Sequence, residues 1–501
     1  MAWLNYLGYW AVIPVCLLLV YLTTEPWIPA RPTLRFKTVR WSIWFPACLN
    51  RLFYMRYARS MLAFGYMRYP DKPFRILKLD GDLVVLPRKY LDELKSLHPS
   101  QASLLDARFI NMMGEYTDAV PKSDLAYRTV IEKLTPNLCC FLCTFLAELD
   151  QAFKTVVPDY KDTYARIDLY DAILKLTARS TSRLMIGEGV AGNEKWLDSI
   201  VQYTYDFTSV VSTLRQVPAF IRPWVARCLP SVRRLKAHSK WMTEELILPM
   251  ISSRRYAEHS DRRYVKPGDF LQWMMDTAET EFDRDPRNLA HHLILTMALN
   301  VVNTSASVIT HAMYDLLLRP EYAVLLRGEI AESLGGGWLN ALPSEFHRMR
   351  LLDSFLRESL RLNPVSEVCA PRIVKHPFTL SDGTHLPTGT QICFPSGPMA
   401  RDPAELKNPF AFDGFRWSRD ASARGMSFSV AGPANMHFGL SPRVCPGRFF
   451  GGYLAKAIMS RFVLDYDLKF LPGQKGRPGN VSCGELNLPG RVVVLVKKRV
   501  D

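Results

Sequence analysis

The segment that decides the fold is Phe438-Gly439-Leu440-Ser441-Pro442-Arg443-Val444-Cys445-Pro446-Gly447-Arg448. Its cysteine lies in a turn rich in glycine and proline, directly before a helical pattern over residues 449–464. Backbone N–H groups in such a turn, and the positive end of the helix that follows, stabilise a thiolate. The segment therefore indicates a cysteine that acts as a ligand in its ionised form.

The residues around Cys445 suit a flat macrocycle that carries iron. A thiolate is one of the axial ligands of haem iron, where it favours cleavage of an O–O bond. Gly439 and Gly447 leave room for the backbone to approach the macrocycle. Phe438 can pack on its face, and Arg443 can pair with a propionate. An isolated cysteine is usually structural, but the spacing of phenylalanine, arginine, cysteine and glycine favours the haem ligand over that alternative.

This segment resembles the haem loop of the cytochrome P450 family, the haem-thiolate monooxygenases. The family pattern is Phe-x-x-Gly-x-Arg-x-Cys-x-Gly, which the positions of Phe438, Arg443, Cys445 and Gly447 match. Ser441 stands at the usual middle glycine, a change expected to tighten the turn and to leave the iron ligand in place. The resemblance implies haem b and a cytochrome P450 fold, mainly α with minor β-sheets, in a single catalytic domain. The chain looks most like filamentous-fungal microsomal members that oxidise terpenoids and related secondary metabolites.

A second motif, Glu358-Ser359-Leu360-Arg361, places an acid and an arginine on one helix face. By itself such a pair is usually solvated at the surface. The resemblance implies instead a buried ion pair, completed by Arg416 of the segment Phe412–Trp417. A pair taken out of water needs this bidentate bonding, so its expected role is to hold the core on the haem side.

The clearest helix pattern begins at Asp285-Pro286 and stops before Arg319-Pro320. Aspartate as the N-cap and proline at the first helical position are typical of a helix start. At 1.5 Å per residue the helix could reach about 50 Å, long enough to cross a domain. Elsewhere, helical patterns cover residues 122–153 and begin again at 168, whereas residues 75–86 and 372–394 predict strand pairs. Helix therefore dominates over a minor sheet.

The long helix carries Asn300, Asn303 and Thr304 in an otherwise apolar pattern. The resemblance implies that these positions lie above the haem, where the family has an acid followed by an alcohol that guide protons. Thr304 keeps the alcohol, but Asn303 replaces the acid, and an amide orients water without exchanging its proton near neutral pH. The alternative is that the buried Asn and Thr side chains simply bridge two helices.

The resemblance implies further residues around the haem. Arg372, after Pro371, is expected to bind a propionate. The family's aromatic residue and arginine on the helix before Leu134 align with Tyr127 and Ile131, so that arginine is missing. Tyr127 stays a candidate cofactor contact, whereas Arg128 and Lys133 are more readily explained as solvated charges. The expected substrate pocket, whose mixed apolar character suits a bulky apolar molecule, includes Phe109, Asn300, Val365 and Val368.

Composition limits the other possibilities. The 501 residues are 48% apolar and 22% charged, ordinary globular usage that excludes a disordered or coiled-coil protein. The 63 basic and 48 acidic residues give a net charge of +15, which favours an anionic membrane surface, nucleic acid or an acidic protein partner. The basic cluster at residues 233–240 lacks interleaved aromatic residues, so we expect no nucleic-acid partner. Ten cysteines are too sparse for a secreted disulfide framework, so we expect reduced thiols.

The first residues predict a membrane anchor. Residues 1–24 contain no charged side chain and approach the roughly 20 residues that cross a bilayer. The basic residues follow this span, which predicts a cytosolic body. A cleaved signal peptide is the alternative, but the segment lacks a basic start and a clear cleavage site. We expect an anchor at 1–24, a proline-containing hinge at 25–44 and a haem-binding catalytic domain at 45–501.

The resemblance implies an enzyme that uses O₂ and electrons from NADPH, passed on by an NADPH-cytochrome P450 reductase, to oxidise an apolar small molecule. It also implies a single-pass protein of the endoplasmic reticulum membrane with its catalytic domain in the cytosol. Two alternatives stay open. One, suggested by Asn303, is a haem-thiolate enzyme that rearranges, dehydrates or isomerises its substrate without net monooxygenation. The other is a noncatalytic, membrane-attached lipid carrier, which would need no thiolate.

Overall fold

The computed structural model describes residues 36–419 and 427–500 of the chain. The expected anchor at 1–24 and most of the expected hinge lie outside the described residues. Within the described part, helices predominate and strands form small sheets, which confirms the predicted fold class.

The helices divide into three groups along the chain. The first group is α1 Ala47–Arg68, α2 Leu91–Ser96, α3 Leu104–Asn111, α4 Gly114–Thr117, α5 Leu125–Thr129, α6 Leu138–Val156, α7 Leu169–Ile186, α8 Glu188–Ala191 and α9 Glu194–Leu214. The second is α10 Arg222–Cys228, α11 Pro230–Trp241, α12 Leu248–Ser260, α13 Phe270–Thr277, α14 Glu281–Arg284, α15 Pro286–Leu295 and α16 Thr304–Leu317. The third is α17 Glu321–Ser333, α18 Pro343–Arg348, α19 Arg350–Leu362, α20 Ser396–Met399, α21 Arg416–Arg419 and α22 Arg448–Asp465.

The strands form one larger sheet and three small ones. They are β1 Lys37–Val39, β2 Phe74–Ile76, β3 Leu83–Val85, β4 Ala102–Ser103, β5 Ala165–Asp168, β6 Cys369–Val374, β7 Phe378–Thr379, β8 His385–Leu386, β9 Gln391–Phe394, β10 Tyr466–Phe470, β11 Val481–Cys483, β12 Leu486–Leu488 and β13 Val493–Lys498. The six-stranded sheet has the order β1-β2-β3-β9-β6-β4, and the three-stranded sheet has the order β10-β13-β5. The strand pairs β2–β3 and β7–β8 confirm the strand pairs predicted over residues 75–86 and 372–394.

The predicted long helix is present from Pro286 to Leu317, with a π-helical turn at Thr296–Asn303 between α15 and α16. The Asp285 carboxylate accepts hydrogen bonds from the N–H groups of Arg287 and Asn288 at 2.7 and 3.2 Å, as an N-cap does. This helix is apolar and long enough to span a bilayer, yet 72% of its most apolar window is buried inside the protein. It is therefore the central core helix.

The core surrounds this helix. α16 packs against α7, α19 and α22, and side chains such as Tyr314, Phe355 and Phe462 are fully buried there. Burying one large side chain of this kind contributes about 1.5–3 kcal/mol. The predicted helix over residues 122–153 is instead bent by 96° between residues 134 and 138. The bend separates a short helical segment near the Cys445 turn from α6, which packs on α7.

Candidate active site

A closed turn presents Cys445 just before α22. The Cys445 N–H donates to the carbonyl of Phe438 at 2.7 Å, which ties the two ends of the turn together. Gly439 has a φ of +93°, and a Cβ there would lie 3.2 Å from the Arg443 carbonyl oxygen. Glycine is required at this position because other residues rarely adopt that conformation. The Phe438 ring packs edge-on against Phe428 at 5.3 Å between centroids, so Phe438 anchors the turn in the core.

The exposure and the enclosure of the Cys445 side chain together indicate that it faces a recess. Its surface is accessible, yet protein atoms enclose it closely enough that burial raises the pKa of its thiol. The backbone N–H of Gly447 and the charge of Arg108 act in the opposite direction and favour the thiolate. A side chain that solvent can reach although protein atoms surround it closely is typical of a residue that faces an internal cavity. A bound metal ion would ionise this thiol outright.

Three arginines, here called the arginine cluster, gather at the same recess: Arg108, Arg372 and Arg443. Burial, together with the neighbouring charge of Arg108, lowers the pKa of Arg372 to about 10. Burial also lowers the pKa of Arg108, and the charge of Arg443 adds to this effect against the opposing influence of Cys445. None of the ion pairs among residues 36–419 and 427–500 includes a member of this cluster. Grouped cations without carboxylates are unfavourable until an anion joins them.

These residues fit a haem. Cys445 would supply the thiolate ligand, and Arg372 and Arg443 would supply cations for the two propionates. Tyr127 lies beside them, since its hydroxyl donates to the Pro442 carbonyl at 3.3 Å and its ring lies 5.1 Å from the Arg443 guanidinium. Gly447 caps the start of α22, where a helix N-terminus faces the sulfur.

Sequence reasoning missed Arg108. The residue lies on α3, which directly follows β4, and β4 pairs with the strand that carries Arg372 in the register Ser103↔Ile373. An ion pair of 2.6 Å between Lys375 and Asp106 fastens α3 to the end of β6. This pairing joins residues about 270 positions apart, so no local sequence pattern could have shown it.

The neighbouring helix holds the weaker candidates. The Arg128 guanidinium forms ion pairs with Asp124, Glu279 and Asp283 at 3.2, 3.2 and 3.4 Å. It is therefore neutralised by carboxylates and is unsuited to a propionate. Ile131, which is 46% exposed, stands where the resemblance called for an arginine.

The structure brings Glu358, Arg361 and Arg416 together. The buried Glu358 carboxylate accepts two hydrogen bonds from Arg361, at 2.7 and 2.8 Å, and one from Arg416 at 3.2 Å. The Trp417 indole N–H and the Asp413 backbone N–H also donate to it, each at 3.1 Å. Arg361 further donates to the carbonyl of Pro409 at 2.5 Å. This ion pair thus fixes the loop that precedes the Cys445 turn.

The polar residues of the long helix point in different directions. The Thr304 hydroxyl donates to the Asn300 carbonyl at 2.5 Å across the π-helical turn. Asn300 is exposed although residues 292–299 are buried, so its amide faces open space within the core. Asn303 instead accepts a hydrogen bond at 3.3 Å from the Tyr170 hydroxyl on α7. Asn303 therefore bridges two helices, whereas Asn300 lines the cavity.

The other expected pocket residues differ in their exposure. Phe109 is 48% exposed, and its ring lies so close to Gly114 that a Cβ there would be 2.3 Å away. Val365 is partly exposed. Val368, directly before β6, is buried in the hydrophobic cluster of α1 and the larger sheet.

A second group of buried charged residues lies between the end of α9 and the β11–β12 turn. The Arg215 guanidinium, at the end of α9, donates to Glu485 at 2.8 Å, and the Tyr54 hydroxyl donates to the same carboxylate at 2.9 Å. Although burial raises the pKa of Glu485, the charges of Arg215 and Lys78 lower it to about 2. Lys78 also donates to Asn111 on α3 at 2.8 Å. This charged group therefore links α9, the β11–β12 turn and α3.

Comparison with known proteins agrees with this geometry. Residues 133–491 match the family described as Cytochrome P450. The monooxygenase penP of Penicillium crustosum is 39% identical over 97% of this chain and 94% of its own length. The monooxygenase paxP of Penicillium paxilli is 38% identical over 98% of this chain and 95% of its own. Both names read "Cytochrome P450 monooxygenase".

A solved structure shows the same fold at low sequence similarity. The crystal structure of the cytochrome P450 CYP102L1 is 19% identical and superposes with a TM-score of 0.65. The match covers 93% of this chain and 99% of that one. The agreement extends over the whole described body rather than over a single motif.

Proposed function

The chain belongs to the cytochrome P450 family of monooxygenases, and on that premise we propose that it oxidises a bulky, mainly apolar terpenoid or meroterpenoid of fungal secondary metabolism. The observation that carries the proposal is the accessible Cys445 side chain, which lies near an arginine cluster that lacks carboxylate partners among the described residues. When bound there, haem supplies the activation of O₂ and accepts electrons from a reductase.

The chain's own residues have four tasks in this proposal. Cys445 binds the iron through its sulfur, and Arg372 and Arg443 hold the propionates. The Thr304 hydroxyl, whose proton is held at the Asn300 carbonyl, can accept a hydrogen bond from a water molecule in the cavity. Asn303 positions the helix through Tyr170 and does not carry a proton. Exclusion of bulk water from the cavity depends on the packing around the long helix.

The electron donor and the location belong to the proposal as well. An NADPH-cytochrome P450 reductase supplies the electrons, and residues 1–24 anchor the catalytic domain, residues 45–501, to the endoplasmic reticulum membrane through the hinge at 25–44. Supporting this, Trp41, Ile43 and Trp44 at the end of the hinge are 43%, 77% and 87% exposed. Exposed aromatic and aliphatic side chains are typical of the membrane–water interface.

The replacement of the usual acid by Asn303 favours one second candidate, a rearrangement, dehydration or isomerisation without net monooxygenation. The lipid-carrier alternative finds no support, because the matched relatives are named monooxygenases. Turnover of the substrate by protein alone, without reductase and O₂, would favour the second candidate.

The proposal is tested by expressing the full chain with a reductase and profiling its products from terpenoid, indole-terpenoid and polyketide candidates. We expect oxygenated terpenoid products that require NADPH and O₂. Cys445→Ala should abolish both turnover and the thiolate-type spectrum of the reduced carbon monoxide complex, whereas Cys143→Ala, at an exposed cysteine of α6, should leave both unchanged. Conversion of another substrate class alone would contradict the terpenoid assignment.

A further inference from the structure

Asn300 is a polar side chain in an otherwise apolar stretch of the long helix. It is exposed although its neighbours on both sides, Leu299 and Val301, are buried. It lies in the π-helical turn Thr296–Asn303, and such turns often mark functional sites. No described residue forms a hydrogen bond with its side chain, since the Thr304 hydroxyl bonds only to its backbone carbonyl. The Asn300 amide therefore faces the cavity with its donors and its acceptor unused.

A second polar group without a partner lies on α9. The Thr204 hydroxyl donates to the Ala298 carbonyl at 3.1 Å and fastens α9 to the π-helical turn. The residue before it, Tyr203, is only 2% exposed, and its hydroxyl forms no hydrogen bond with a described residue. Burial, to which the charge of Asp118 adds, raises the pKa of Tyr203, so the hydroxyl keeps its proton. Because a buried tyrosine hydroxyl usually has a partner, this group too points to a polar ligand atom.

The stability of the helix does not account for Asn300. Asparagine is a weaker helix former than leucine, and an apolar side chain would suit the apolar stretch equally well. A hydrocarbon that filled the cavity would take water away from the amide without replacing its hydrogen bonds, which costs free energy. A substrate with a hydroxyl or carbonyl oxygen would restore them, since an amide both donates and accepts. A site of this kind rejects analogues that lack the matching oxygen.

We propose that Asn300 is a specificity-determining residue that binds a hydroxyl or carbonyl oxygen of the substrate. This inference rests on the proposed function and narrows its substrate class to terpenoids or meroterpenoids that already carry oxygen. A reaction that introduces a hydroxyl or a carbonyl group must therefore precede the step that this enzyme catalyses.

The test compares terpenoid alcohols with the hydrocarbons of the same skeleton: abietadienol with abietadiene, kaurenol with kaurene, and an indole-diterpenoid alcohol with its deoxy analogue. Dissociation constants are read from the change in the haem absorption spectrum when the full-length holoenzyme is titrated without reductase. The proteins are wild type, Asn300→Ala and Asn300→Leu. Asn288→Ala is the matched control, because the Asn288 amide lies in the first turn of the same helix and donates to the Phe282 carbonyl at 2.9 Å. Urea unfolding checks that each variant folds.

We expect wild type to bind each alcohol about tenfold to a hundredfold more tightly than its hydrocarbon, the factor of one buried amide left unpaired. This preference should shrink by a similar factor in both Asn300 variants and stay unchanged in Asn288→Ala. Asn300→Leu should also bind the hydrocarbons more tightly than wild type does, because it has no amide to leave unpaired.

Equal affinities of wild type for alcohol and hydrocarbon would overturn the inference. An unchanged preference in both Asn300 variants would also overturn it, because the oxygen would then be bound elsewhere. A holoenzyme that responds to none of these terpenoids would instead refute the proposed substrate class, and a chain that binds no haem would refute the proposed function as a whole. The failures are therefore distinguishable.

Discussion

Replacing Glu358 by glutamine removes the charge at the centre of the buried ion pair while keeping its shape. The carboxylate accepts hydrogen bonds of 2.7 and 2.8 Å from Arg361 and one of 3.2 Å from Arg416. Glu358 is fully buried and Arg361 is only 3% exposed. Because Arg361 cannot reach bulk water, it would stay in the core as an uncompensated cation.

The size of the effect follows from this burial. Removing one partner of a buried ion pair costs about 3–5 kcal/mol. Glutamine keeps one acceptor oxygen but turns an NH₂ group toward a guanidinium, so it does not replace the lost bond. We expect Glu358→Gln to lower the free energy of unfolding by about 3–5 kcal/mol, and to lower haem content, since Arg361 and Arg416 hold the loop before the Cys445 turn.

The assay is equilibrium urea unfolding of the full-length holoenzyme, followed by tryptophan fluorescence and by haem absorbance. Asp92→Asn is the matched control, because Asp92 and Lys95 form an ion pair at the same spacing but the Asp92 side chain is 89% exposed. That variant should change the free energy by less than about 1 kcal/mol. A loss below about 1 kcal/mol for Glu358→Gln as well would refute the reasoning, since the pair would then behave as a solvated one.

Three further predictions concern the acid range, the turn and the cavity. The pKa of Glu485 lies at about 2 against an ordinary value of 4.5, so its ionised form stabilises the fold above about pH 4.5 and this contribution is lost as the pH falls toward 2. Urea midpoints measured between pH 2 and 6 should therefore drop more steeply for wild type than for Glu485→Gln. Parallel curves for the two proteins would contradict this. Gly439→Ala forces an alanine to a φ of +93° and should cost about 1–3 kcal/mol of stability; unchanged unfolding and haem content would show that the turn tolerates it. Asn300→Ala should change the free energy of unfolding by less than about 0.5 kcal/mol, because the Asn300 side chain is exposed. The same variant should alter the product pattern. An unchanged product pattern would place the Asn300 amide away from the substrate.

Several features follow from residues that are neighbours along the chain. The start of the long helix depends on Asp285 and Pro286, and the structure has both in those roles. The spacing of Glu358 and Arg361 puts both on one helix face, and they meet there. These features are decided within one or two helical turns, where backbone geometry fixes which side chains are adjacent.

Other features depend on contacts that local patterns do not contain. The apolar run over residues 122–153 suits a continuous helix, but packing on α7 is reached only after a bend of 96°. Val368 packs with α1 and the larger sheet, a contact between distant segments that no local pattern shows. Asn303 lies one residue before Thr304 at the end of the π-helical turn, and its side chain accepts a hydrogen bond from Tyr170 on α7.

The sequence alone determined the haem-loop motif, the predominance of helix and the family, because these depend on residue types at short, fixed spacings. Only the tertiary structure decided which cations share the recess with Cys445. Arg108 reaches it because β4 pairs with β6, two strands about 270 residues apart, while Arg128, closer to the family's pattern, is held away by three carboxylates. Long-range pairing and competition between charges depend on the positions of distant segments in space, and these are set by the packing of the whole core.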